Sequence, residues 1–290
     1  MEEAKVYQSF KTHSAPKDKK KFYEEASRRI SEVEGQLGGL PFAVADQVQK
    51  DPTDDGEGSL YAGFRNEAGE KWGFGIKLWS DGGLYVGNWR GNKANGKGWF
   101  FLAEGDVYKG DWIDDKMNGQ GTYLHVSGSK YVGHWYNDLK SGYGEERWGD
   151  GSSYEGVYLD GKKHGKGCYK WPDGSSYDGM WHHNQISGEG TYKWTDGRMY
   201  NGNWVDNCMH GYGVYSWKDG RRYEGEYVKD KKHGKGKYVW ANGKVYDGMW
   251  GDGKQHGYGE FYNPATDETK KGRWEHGKRM AWVEENDTEA

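Results

Sequence analysis

Aliphatic bulk is what this 290-residue chain has least of. Hydrophobic residues of every kind make up 33%, and the mean hydropathy is −1.16. Without internal repeats, such values would lean toward disorder. No apolar run approaches the roughly 18 residues of a membrane-spanning helix. Cysteine is scarce too: Cys168 and Cys208 stand at different phases of the chain and read as free thiols of a reducing compartment. Charge of one sign is also lacking. Forty-one Lys and Arg face 45 Asp and Glu, a net charge of −4, which argues against general nucleic-acid binding. The opening Met1-Glu2-Glu3 fits neither N-myristoylation nor the start of a secretory signal.

Glycine and aromatic residues are abundant: 49 Gly, 16 Trp, 23 Tyr and 8 Phe. They are spaced regularly. Gly188 to Trp204, GEGTYKWTDGRMYNGNW, belongs to a pattern of nine Gly-x-Gly pairs whose first glycines run from Gly73 to Gly257 at an unbroken period of 23. A Tyr-x-Gly column keeps the same step from Tyr85 to Tyr246. Repetition this strict means a repeat architecture.

Within a repeat, Gly188, Gly190, Tyr192 and Trp194 share one parity, and Glu189, Thr191 and Lys193 the other. Period-two alternation with aromatics predicts strands, and Asp196-Gly197 between two such runs predicts a hairpin turn. A second turn is marked by the column Asn92, Asp115, Asp138, Gly161, Asn184, Asn207, Asp230 and Gly253, residues that tolerate the left-handed backbone. The expected fold is all-β: an elongated, single-layer antiparallel β-hairpin solenoid of about nine repeats plus a degenerate tenth. Its core should be rings lying over glycines.

The ends depart from the repeat. Residues 1–57 read as an extension holding an amphipathic helix over about 16–37, capped by Ser14, and then a linker. Phe22, Ala26, Ile30, Val33 and Leu37 form its apolar stripe, suited to covering one end of the array or docking a partner. Phe22, Ile30 and Val33 are its candidate contacts. The array spans 58–282, and 283–290 form an acidic tail.

The repeat resembles the MORN family, over about Leu60 to Trp282. Arg65 to Glu70 and Gly128 to Gly133 resemble, more locally, stretches of the MORN protein of ciliary radial spoke heads. The resemblance implies a scaffold of the cytoskeleton or of membrane-adjacent assemblies. For this chain it implies a cytoplasmic, cytoskeletal place in a cilium or flagellum, at the axoneme.

No catalytic residue, cofactor or metal site is expected. Gly-x₄-Gly-Lys-Ser/Thr and Gly-x-Ser-x-Gly are both missing, and Glu155, Asp178 and Glu224 recur along the polar face without forming a unique pair. His164, His210, His233 and His256 precede their Gly-x-Gly pairs, but equivalent atoms of adjacent repeats stand ~10 Å apart. That is too far for a shared ion. The aromatic face is the candidate partner surface, a groove floored by Tyr177, Trp181, Trp194, Tyr200, Trp204, Trp217 and Tyr223. It suits helical or extended peptides of cytoskeletal proteins, with self-association a further option. The alternative is a peripheral tether, with Lys162, Lys163, Lys231 and Lys232 on one turn edge touching anionic phospholipids.

Overall fold

The computed structural model describes residues 19–37 and 51–283. Ser14, most of the linker and most of the acidic tail lie outside these. The chain forms two compact units, divided between Gly161 and Lys162. The first holds helix α1 (Lys19–Leu37) and ten strands, β1 (Thr53–Asp54) to β10 (Ser153–Leu159). The second holds eleven, β11 (Lys162–Lys170) to β21 (Lys278–Trp282). Each unit is an antiparallel meander of hairpins, as the alternation requires.

Two turns alternate. At Asp206-Asn207 both central residues have positive φ (48° and 67°), the two-residue hairpin geometry that matches strand twist. At the Asp196-Gly197 turn, Trp194 N–H donates to Arg198 O and Gly197 N–H to Trp194 O. The left-handed residue there is Gly197 (φ 87°).

The Asn/Asp column does more than tolerate the left-handed region. Asn207 Oδ1 accepts the Ile186 N–H (2.8 Å) while Asn207 N–H donates to Ile186 O (2.9 Å). The same reciprocal pair joins Asp230 to Met209 and Asn184 to Lys163. Each turn is thereby stitched to the strand 21 residues before it.

Regular alternation fails at the first glycine of each pair. Between β12 (Ser176–His182) and β13 (Gln185–Lys193), Gly179 pairs with Gly190 but Trp181 pairs with Ile186. Two extra residues of β13 are accommodated in a bulge, with Gly188 at φ 96°. Gly188 is therefore a bulge residue, not a seat for a ring. The seats are Gly179 and Gly190, where an added Cβ would run into the Tyr177 ring. Tyr177 Oη donates to Met180 O (3.1 Å), a carbonyl inside the irregular stretch. All nine column tyrosines, Tyr61 to Tyr246, bond the carbonyl three residues on in the same way.

The first unit carries a second core. In β4 (Leu84–Arg90), Tyr85, Gly87 and Trp89 take the ring-over-glycine face, while Leu84 and Val86 point the other way. There they join Ala62, Ile76, Leu78, Trp99, Phe101, Val107 and Leu124 under Phe22, Ala26, Ile30, Val33 and Leu37 of α1. Arg29 is buried and donates from Nη1 to Gly82 O (2.5 Å) and from Nε to Glu25 (2.6 Å). Lys109 Nζ donates to Leu37 O (2.8 Å), closing the helix C-terminus. The helix thus lies on the face opposite the aromatic one. Its apolar stripe finds its aliphatic match there, over the first repeats.

The first strands have a charged anchor. Asp55 pairs with Arg65 (2.8 Å), Lys71 (2.7 Å) and Lys77 (2.9 Å). Burial alone would raise its carboxyl. Hydrogen bonds from Lys71, Lys77 and Arg65 outweigh that and hold it at about 2.

Candidate functional site

The aromatic face of the second unit sorts into two files. Tyr177, Trp181, Tyr200, Trp204 and Tyr223 are all buried, at 6% exposure or less. Each tyrosine lies edge-on to a tryptophan or tyrosine, as in Tyr200–Trp204 (5.0 Å) and Tyr177–Trp204 (5.7 Å). Trp181, Trp204 and Trp250 donate their indole N–H to Gly167, Gly190 and Gly236 carbonyls. Five of the seven residues expected to floor a groove are therefore core. Glycine backbones let these rings sink flat, so the sheet covers its own aromatic face.

The other two, Trp194 and Trp217, belong to a file whose tryptophans stay half-exposed while Tyr215 and Tyr238 between them are buried. Here rings stack in sequence: Trp171–Tyr192 (5.0 Å), Tyr192–Trp194 (4.5 Å), Trp194–Tyr215 (5.2 Å), Tyr215–Trp217 (4.4 Å). The ladder continues through Trp217–Tyr238 (5.8 Å), Tyr238–Trp240 (4.7 Å) and Trp240–Phe261 (5.8 Å). Its signal in the sequence is a Tyr two residues before each Trp, at Tyr169, Tyr192, Tyr215 and Tyr238.

Cations line the ladder. Arg198 lies over Trp194 (5.4 Å) and Arg221 over Trp217 (5.2 Å), each held by the aspartate of its own turn, Asp196 or Asp219. Lys232 Nζ sits among Tyr238 (4.4 Å), Trp250 (4.8 Å), Tyr223 (4.9 Å) and Trp217 (5.4 Å). Burial, and then the Arg221 charge, push its ammonium down to about 8. Lys163 similarly lies over Tyr169 (4.7 Å) and Trp181 (5.6 Å). The four lysines read as one basic edge are thus split. Lys162 and Lys231 are exposed, with Lys231 paired to Asp252 (3.3 Å), while Lys163 and Lys232 turn inward, since alternation puts them on the ring face.

The histidines of the Gly-x-Gly column keep apart, but one of them has other histidine neighbours. His164 does not meet the histidines of its own column. It meets His182 and His183, which lie at the end of β12 and in the turn beyond it. Among the described residues, neither Cys168 nor Cys208 forms a disulfide. Among the described residues, no helix is long and apolar enough to cross a membrane.

Hairpins of one length, stitched at each turn and cored by tyrosine over glycine, define an antiparallel β-repeat protein whose side chains recur in columns. The sequence model of the MORN repeat matches nine segments: 67–84, 85–107, 108–130, 131–153, 154–176, 177–197, 200–221, 223–245 and 246–265. The chain belongs to the MORN repeat family. No curated protein is detectably similar in sequence. Among solved structures, a point mutant of the TCP10 domain of Danio rerio CPAP is 13% identical, covering 72% of this chain and 98% of that one at a TM-score of 0.40. The Drosophila melanogaster SAS-4 TCP domain, solved with a proline-rich motif of Ana2, is 12% identical, covering 67% and 97% at a TM-score of 0.34.

Proposed function

We propose that this chain is a non-catalytic scaffold that captures a peptide segment of a cytoskeletal partner along the Trp171–Trp194–Trp217–Trp240 ladder. One observation carries the reading: these half-exposed tryptophans are joined into one file through Tyr192, Tyr215 and Tyr238, with Arg198, Arg221 and Lys232 beside them. Trp, Tyr and Arg are the side chains that dominate binding energy at protein interfaces. Such a file suits an extended peptide, whose apolar side chains lie on the indoles while carbonyls or carboxylates face the guanidinium groups. A ciliary or flagellar setting is supported by the segments Arg65 to Glu70 and Gly128 to Gly133, similar to the radial spoke head protein.

A photo-crosslinking amino acid at position 194 tests this against one at position 212, where Tyr212 is exposed on the other face. In a cytoskeletal extract, position 194 should yield a discrete adduct and position 212 none. Adducts from position 212 alone would move the binding surface to the polar face.

A further inference from the structure

We infer that His164, His182 and His183 form a binding site for a late first-row divalent cation, with Zn²⁺ the ion it fits best. The three imidazoles offer one nitrogen each, all within 4.8 Å of one another. Ring centroids are 5.4 Å apart for His164–His182, 5.4 Å for His164–His183 and 4.4 Å for His182–His183. The site is assembled across two strands. His164 lies in β11, while His182 ends β12 and His183 opens the turn that leads to β13.

A second observation points to a ligand. His164 Nδ1 is buried and makes no hydrogen bond among the described residues. A buried, unpaired ring nitrogen is costly unless something else satisfies it. A tetrahedral ion at about 2.0–2.1 Å from each nitrogen needs donors roughly 3.4 Å apart. The ligand atoms already lie within 4.8 Å of one another, and His182 and His183 are both exposed, so small side-chain adjustments would bring the three to that spacing.

The donor set selects the ion. Three neutral imidazoles without a carboxylate suit Zn²⁺, Cu²⁺ or Ni²⁺, not Mg²⁺ or Ca²⁺. Three protein ligands leave one coordination position open to water or to a fourth donor. The next repeat shows that the fold does not demand the trio, although His210, His233 and His256 keep the His164 column. Ser187 takes the place of His164 one repeat on, Val205 that of His182, and Asp206 that of His183. His256 and His276 approach to 5.6 Å at two matching positions, but Glu275 holds the third.

These siblings supply test variants with little risk to folding: His164→Ser, His182→Val and His183→Asp. Untagged full-length chain would be titrated calorimetrically with ZnCl₂, and separately with CoCl₂ while following the visible absorption of the ion. The parent should bind one tight equivalent, with the absorption of a tetrahedral Co²⁺ centre. Each of the three variants should weaken that event at least tenfold, and His256→Ser should leave it unchanged. A parent that binds no Zn²⁺, or a His164→Ser chain that binds with unchanged affinity and stoichiometry, would overturn the assignment.

Discussion

The tyrosine hydroxyl is the smallest unit on which this fold depends. A phenylalanine would fill the same seat over glycine, but Asn203 O would lose the 3.0 Å bond from Tyr200. Tyr200→Phe should therefore cost about 1 kcal/mol in chemical denaturation. Gly190→Val should cost more, roughly 1–3 kcal/mol, by driving a branched side chain into the Tyr177 ring. Equal stability of both variants with the parent would refute the ring-over-glycine core. Titration adds a second test with opposed signs. Because the folded Lys232 titrates near 8, below its ordinary value, the folded state is penalised for holding the charge. Stability should rise as pH climbs from about 8 toward 10. The column tyrosines are raised by burial, Tyr246 to about 12, so the folded state keeps protons that the unfolded chain releases, and stability should fall above about pH 10. Lys232→Met should abolish the rise and leave the fall. Asp55 acts at the acid end: its depressed carboxyl contributes stability that is full above about pH 4 and lost as pH falls through about 2. Asp55→Asn should remove that acid transition.

At the scale of elements, the hairpin was legible because its turns announce themselves: Asp196-Gly197 and Asp206-Asn207 each place a left-handed residue where the strand must reverse. The bulge was not. Parity counting assumes unbroken pairing, and only the register between β12 and β13 reveals that Gly188 serves a backbone kink. Helix α1 was legible as an amphipathic stripe, but the face of the sheet that it covers was not assigned. The signal was present in Ile76, Val86, Trp99 and Leu124, apolar at positions where later repeats carry Glu145, Glu155, Asp178 or, for Leu124, Arg147. An apolar run on the polar face of the first repeats needs a cover, and the helix supplies it. Ile30→Ala should cost about 2–5 kcal/mol, as a large-to-small change in a buried cluster. Thermal unfolding of the full chain, followed by the amide signals of the first unit, would detect it. An unchanged transition would mean that the helix adds nothing to that unit.

For the molecule as a scaffold, the division of its aromatic residues matters most. Sequence alone could not separate the two files, since both recur every 23 residues and both carry Trp. Depth separates them: Trp204 lies 5% exposed over glycine, while Trp194 rests between Tyr192 and Tyr215 and is half-buried. The buried file should answer to stability measurements and the half-exposed file to binding measurements. The most direct test is co-sedimentation of a Trp194→Gln, Trp217→Gln double variant with the cytoskeletal fraction, on protein whose unfolding midpoint shows that the array is intact. Loss of at least tenfold in retained protein is the predicted result, in keeping with interface anchors worth about 2 kcal/mol each. A folded double variant retained as well as the parent would contradict the ladder as the binding surface.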